Sequence, residues 1–130
     1  RPMDCGAGRH PGHRWGCSMI YDPDYARAYS IIRCIAWSYG YAACLHGSFT
    51  RDLDVVLVPW TATTASPEHV IAMMAEQTDT KVQHGSPSDK PHGRKCWTLL
   101  FKGFGDPRWI DISVMPRIHA APAGTDGATA

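Results

Sequence analysis

The sequence predicts an α/β (α+β) domain: a small mixed β-sheet with two helices packed on one face and an acidic cluster on the opposite face or edge. Three observations lead there. Apolar residues recur at helical spacing in two segments, each opened by a capping residue followed by proline. Elsewhere, short runs rich in Val, Ile, Leu and aromatic residues are bounded by Gly, Pro, Ser and Asp, as strands are. A length of 130 residues fits one domain with a real core.

Residues 1–18 are dense in Gly, Pro, Arg and His and read as an irregular leader, native or not, with Met19 a candidate for the original start of translation. The leader holds four zinc-type ligands, Cys5, His10, His13 and Cys17, but their spacing matches no zinc module, so a disordered leader is expected. The domain proper is expected over 19–119.

Its first helix starts with Asp22 as N-cap and Pro23 at the first helical position, where a missing N–H does no harm. Ala28, Ile31, Ile32, Ile35, Ala36 and Tyr39 make an apolar stripe for packing on a sheet, and Gly40 stops the helix. Residues 41–45 read as a short strand, Gly47-Ser48 as a turn, and 52–58 as a second strand. After a Thr-rich loop, Ser66 and Pro67 open a second helix through about Gln77, with Val70, Met73 and Met74 inward. Residues 78–95 read as a long polar loop. Residues 96–102 and 109–114 read as strands joined by Gly103-Phe104-Gly105-Asp106-Pro107. The tail, 120–130, is small and polar enough to stay disordered.

A formal net charge of +1 leaves no global field for nucleic acid or membrane, so such contact would need a local patch. No apolar run approaches the ~20 residues that span a bilayer, and no signal-peptide pattern is visible. A cytoplasmic location without membrane partners is the default expectation. The five cysteines, at 5, 17, 34, 44 and 96, are odd in number and irregularly spaced, which favours reduced, partly buried thiols over a disulfide frame.

The segment His46-Gly47-Ser48-Phe49-Thr50-Arg51-Asp52-Leu53-Asp54 carries most of the chemistry. Alternation along a strand puts Asp52 and Asp54 on one face. Two close like charges raise each other's pKa and cost stability unless a cation or partner sits between them. Residues Val55 to Val58 continue without a break, as if both faces become buried just past the carboxylates. In the last strand Trp109, Asp111 and Ser113 share one face, while Ile110, Ile112 and Val114 share the other.

These residues resemble the signature of the DNA polymerase beta-like nucleotidyltransferase superfamily: an apolar strand, Gly-Ser, then Asp-x-Asp on the next strand. Residues 25–117 can be laid over its minimal fold. More narrowly, the chain is similar to small phage-type proteins with Gly-Ser, Arg-Asp-x-Asp and Pro-Trp, later Lys-Pro-His-Gly-Arg, and later Ile-Asp-x-Ser-Val-Met-Pro-Arg. The resemblance implies Gly47 and Ser48 at the nucleotide phosphates, and Asp52, Asp54 and Asp111 as catalytic metal ligands. It also implies magnesium or manganese as cofactor and a nucleoside triphosphate as substrate. One departure is visible: only Phe49, Thr50 and Arg51 separate Ser48 from Asp52, where the superfamily carries a helical turn or more. Fewer backbone N–H groups are then available to a triphosphate.

Lys90, His92, Arg94 and Lys95 form the strongest local positive cluster. It reads as solvated loop charge by composition and as a phosphate contact by the resemblance. Arg51 either meets phosphate or neutralises Asp52. Trp60, Trp97 and Trp109 read as packing before base stacking, and His46 as a strand-end residue before a ligand. Three classes of function follow: nucleotidyl transfer to an acceptor such as RNA, protein or a small molecule, a nucleotide- or RNA-binding module without turnover, and a phage-derived interaction protein.

Overall fold

A computed structural model describes residues 22–118. The leader, its four zinc-type ligands and the tail lie outside the described residues. The element order is α1 (Pro23–Ser38), β1 (Tyr41–His46), β2 (Leu53–Pro59), α2 (Pro67–Gln77), β3 (Thr80–Val82), β4 (Ser88–Asp89), a 3-10 turn (Pro91–Gly93), β5 (Lys95–Phe101) and β6 (Trp109–Val114). Both helices start as their caps dictate: the Asp22 side chain accepts from the Asp24 N–H, and that of Ser66 from the His69 N–H.

The strands form one mixed six-stranded sheet in the order β1-β2-β6-β5-β3, with β4 pairing the end of β5. β2 and β6 run parallel, and every other pair is antiparallel. β6 is therefore inserted between two strands that precede it in the chain. That insertion brings Asp111 beside Asp54.

Alternation divides the sheet into an apolar and an open face. Leu53, Val55 and Leu57 of β2, Ile110, Ile112 and Val114 of β6, and Trp97 and Leu99 of β5 are buried. They form one core with Tyr25, Ala28, Ile32 and Ala36 of α1 and Val70, Ile71 and Met74 of α2. Both helices thus cover the same face, as expected. The first helix also closes over the β1 edge, where the Tyr29 hydroxyl donates to the Ala43 carbonyl at 3.1 Å.

Three details differ from the sequence reading. Residues 78–95 are not one loop: β3 and β4 take hydrogen-bonded places along β5, where pairing rather than side-chain pattern holds them. Met73 is only half-buried, and Ile71 takes the inward position beside Val70 and Met74. Val56 and Val58 are half-buried rather than buried, because the helices cover the Leu53, Val55 and Leu57 face alone. Cys34 and Cys44 are exposed and Cys96 is buried, all three as free thiols.

Candidate metal centre

The site grows out of strand register. His46 lies opposite Asp54, Asp54 beside Asp111, and Asp111 opposite Thr98, so these four residues make one row across β1, β2, β6 and β5. The row lies on the open face, because the sequence neighbours of Asp54, Asp111 and Thr98 point into the core. Asp52 precedes β2 by one residue and joins the row from its end. One carboxylate oxygen from each of Asp52, Asp54 and Asp111 lies within 4.8 Å of the other two.

That spacing suits a cation. Oxygen ligands sit about 2.0–2.6 Å from magnesium or calcium, so two ligands on one ion are at most about 4–5 Å apart. An all-oxygen donor set, half-buried at all three positions, matches a hard divalent ion. Without a cation the same arrangement is costly. Burial pushes the Asp54 carboxyl above its ordinary value, the negative charges of Asp52 and Asp111 push it further, and nearby His46 and Arg51 pull it partly back.

The turn before the site is built for close approach. Gly47 has φ +78, and a Cβ there would stand 2.5 Å from Asp54 Oδ2. Ser48 Oγ is hydrogen-bonded to Thr50 Oγ1 at 2.9 Å. The Tyr25 hydroxyl, rising from α1, donates to the Arg51 carbonyl at 2.8 Å, and the Tyr25 and Phe49 rings are in contact. The 47–52 connection contains no helix, in keeping with its short length. Among the described residues no ion pair joins Arg51 to any of the three carboxylates, so its guanidinium does not plug the site.

Of the predicted basic cluster, only Arg94 reaches toward the site. Its Nη1 donates to Ser113 Oγ at 3.4 Å, and Ser113 shares the face of Asp111 about 7 Å further along β6. Lys95 pairs with Asp89 at 3.0 Å. Lys90 and His92 are exposed, and among the described residues no hydrogen bond or ion pair ties either to the carboxylates. The turn that follows Lys90 is kinked at His92, whose φ is 65, and the Lys90 N–H donates to the Arg94 carbonyl at 2.9 Å.

Two further residues hold Asp111: Thr98, which went unread in the sequence, and Trp109, which was read as packing on the Asp111 face. Thr98 Oγ1 donates to Asp111 Oδ1, and the Trp109 indole N–H donates to Asp111 Oδ2 at 3.1 Å. Trp109 shares the face of Asp111, which parity alone could reveal. Thr98 needs the β5–β6 register, which parity does not supply. No family model matches the chain, and neither does any curated protein. Among the described residues, no helix is long and apolar enough to cross a membrane.

Proposed function

We propose that this protein is a divalent-metal-dependent nucleotidyltransferase that moves a nucleotide from a nucleoside triphosphate to a hydroxyl-bearing acceptor, RNA or a small molecule. The observation that carries the reading is the convergence of Asp52, Asp54 and Asp111 from a turn and two parallel strands onto one open face. Asp52, Asp54 and Asp111 would hold magnesium or manganese, and the ion would supply Lewis-acid activation of the acceptor hydroxyl and charge compensation for the leaving pyrophosphate.

The chain's own residues supply placement. Gly47 admits the Asp54 carboxylate at close range, and Ser48 offers a hydroxyl at the mouth of the turn. Arg94, whose Nε donates to the Pro91 carbonyl and Nη1 to Ser113, would offer its remaining N–H donors to a phosphate. Arg51, free of an ion pair with the carboxylates, is a further cation beside them.

A second reading, a nucleotide- or RNA-binding module without turnover, is favoured by one observation: the helix-free 47–52 turn offers few backbone donors to a triphosphate. The test is incubation with each α-labelled nucleoside triphosphate and manganese, with total RNA or a small-metabolite pool as acceptor. Label transferred by the wild type and lost in Asp54→Asn supports the enzyme. Metal-dependent nucleotide binding without any transfer supports the binding module instead.

A further inference from the structure

We propose that Thr98 and Trp109 are positioning residues that hold Asp111 as the fixed member of the metal-binding set, an inference that rests on the metal-site reading above. The parallel register sets Asp54 and Asp111 side by side, and like charges placed so repel. Left to itself, the Asp111 side chain would turn away from Asp54. Two donors hold it against that tendency, Thr98 at Oδ1 and Trp109 at Oδ2, one from the neighbouring strand and one from two residues earlier on its own strand.

The geometry leaves Asp111 able to bind. An ionised carboxylate has about four acceptor sites, and two neutral donors, one on each oxygen, leave about one site per oxygen open. Neither donor carries charge, so the carboxylate keeps its net negative charge for a cation. Among the described residues Asp52 and Asp54 accept no side-chain hydrogen bond. The set therefore has one ligand held by a side-chain hydrogen bond on each oxygen and two that are not held in this way. Orientation by a hydrogen-bonded outer partner is a general device of metal sites, and loss of such a partner costs about 10–100-fold in affinity.

Thr98 also breaks the pattern of its strand. In β5, Lys-Cys-Trp-Thr-Leu-Leu-Phe, it is the hydroxyl at the centre of an otherwise apolar interior. Valine would fill the same space with the same preference for strand backbone. The hydroxyl's side-chain partner is the Asp111 carboxylate.

The test measures Mn2+ binding by electron paramagnetic resonance for the wild type, Thr98→Val, Thr98→Ser, Trp109→Phe and Asp54→Asn, each checked for folding in EDTA. Thr98→Val and Trp109→Phe should each weaken Mn2+ binding by about 10-fold or more, and Thr98→Ser should restore it to within about 3-fold of the wild type. A purely structural hydroxyl would shift the unfolding temperature in EDTA and leave the affinity of the folded protein unchanged. Thr98→Val and Trp109→Phe binding as tightly as the wild type, with Asp54→Asn still weakened, would overturn the positioning role and leave the metal site standing. Wild-type binding no stronger than that of Asp54→Asn would overturn both. If Thr98→Val does not fold, Trp109→Phe carries the same test.

Discussion

Gly47 is the floor on which the Asp54 carboxylate rests: at φ +78, any β-carbon on residue 47 would come within 2.5 Å of Asp54 Oδ2. The turn that precedes the acidic strand and the carboxylate that follows it are therefore one unit. Gly47→Ala must displace Asp54 and hold alanine in the left-handed region. It is expected to cost about 1–3 kcal/mol in urea denaturation and to weaken Mn2+ binding.

Asp54 makes the metal-free protein sensitive to pH in an unusual direction. Burial, with the charges of Asp52 and Asp111, raises its folded pKa above the ordinary 3.8, so the folded state holds this proton more tightly than the unfolded state does. Its contribution to stability is most favourable below the unfolded value, declines as pH rises through the folded value and stays reduced at neutral pH. In EDTA at pH 7, Asp54→Asn should accordingly raise the melting temperature, and the gain should vanish in acid. Added Mn2+ should reverse the ranking, stabilising the wild type and not the variant.

Arg108 ties the end of the sheet to the first helix. Its guanidinium meets Asp106 at 2.8 Å, Asp22 at 3.0 Å and Asp24 at 2.7 Å, and it lies 4.8 Å from the centre of the Phe101 ring. Arg108→Gln is expected to lower stability by about 1 kcal/mol, less at high salt, since the cluster is partly solvated. Hydrogen bonds from Arg108 hold the Asp106 carboxyl at about 2, so its contribution is present above the ordinary value of 3.8 and is lost as pH falls toward 2. The wild type should lose this contribution in acid, whereas Arg108→Gln, which keeps only the backbone N–H bond to Asp106 at 2.9 Å, should lose less.

Tyr25 is buried, and its hydroxyl bonds the Arg51 carbonyl within the turn that leads to Asp52. Tyr25→Phe keeps the packing and removes that tether. It is expected to cost about 1 kcal/mol and to speed amide exchange across residues 47–52, while exchange in β6 stays unchanged.

The helices and the main strands were legible in the sequence because each carries a local signal. Asp22-Pro23 and Ser66-Pro67 open the helices, and the alternation in 109–114 assigns Ile110 and Ile112 to the core and Asp111 to the open face. β3 and β4 were not legible, since strands of three and two residues are held by pairing with β5 rather than by their own pattern. Asp52, Asp54 and Asp111 were readable as a set. The basic cluster was readable only in part: Arg94 meets Ser113 on the carboxylate face, Lys95 pairs with Asp89, and Lys90 and His92 are exposed. Thr98 was invisible because its partner is fixed by register, and register is a property of two strands together.

Calorimetric titration reads whether the three carboxylates bind nucleotide phosphate through a divalent ion. ATP, GTP, CTP and UTP are each titrated into the wild type and into the Asp52→Asn, Asp54→Asn double variant, with magnesium, with manganese and with EDTA. Binding of at least one nucleotide to the wild type, dependent on the metal and absent from the double variant, is the predicted result. No heat of binding from any nucleotide with the wild type, or equal heats from the double variant, would contradict the claim.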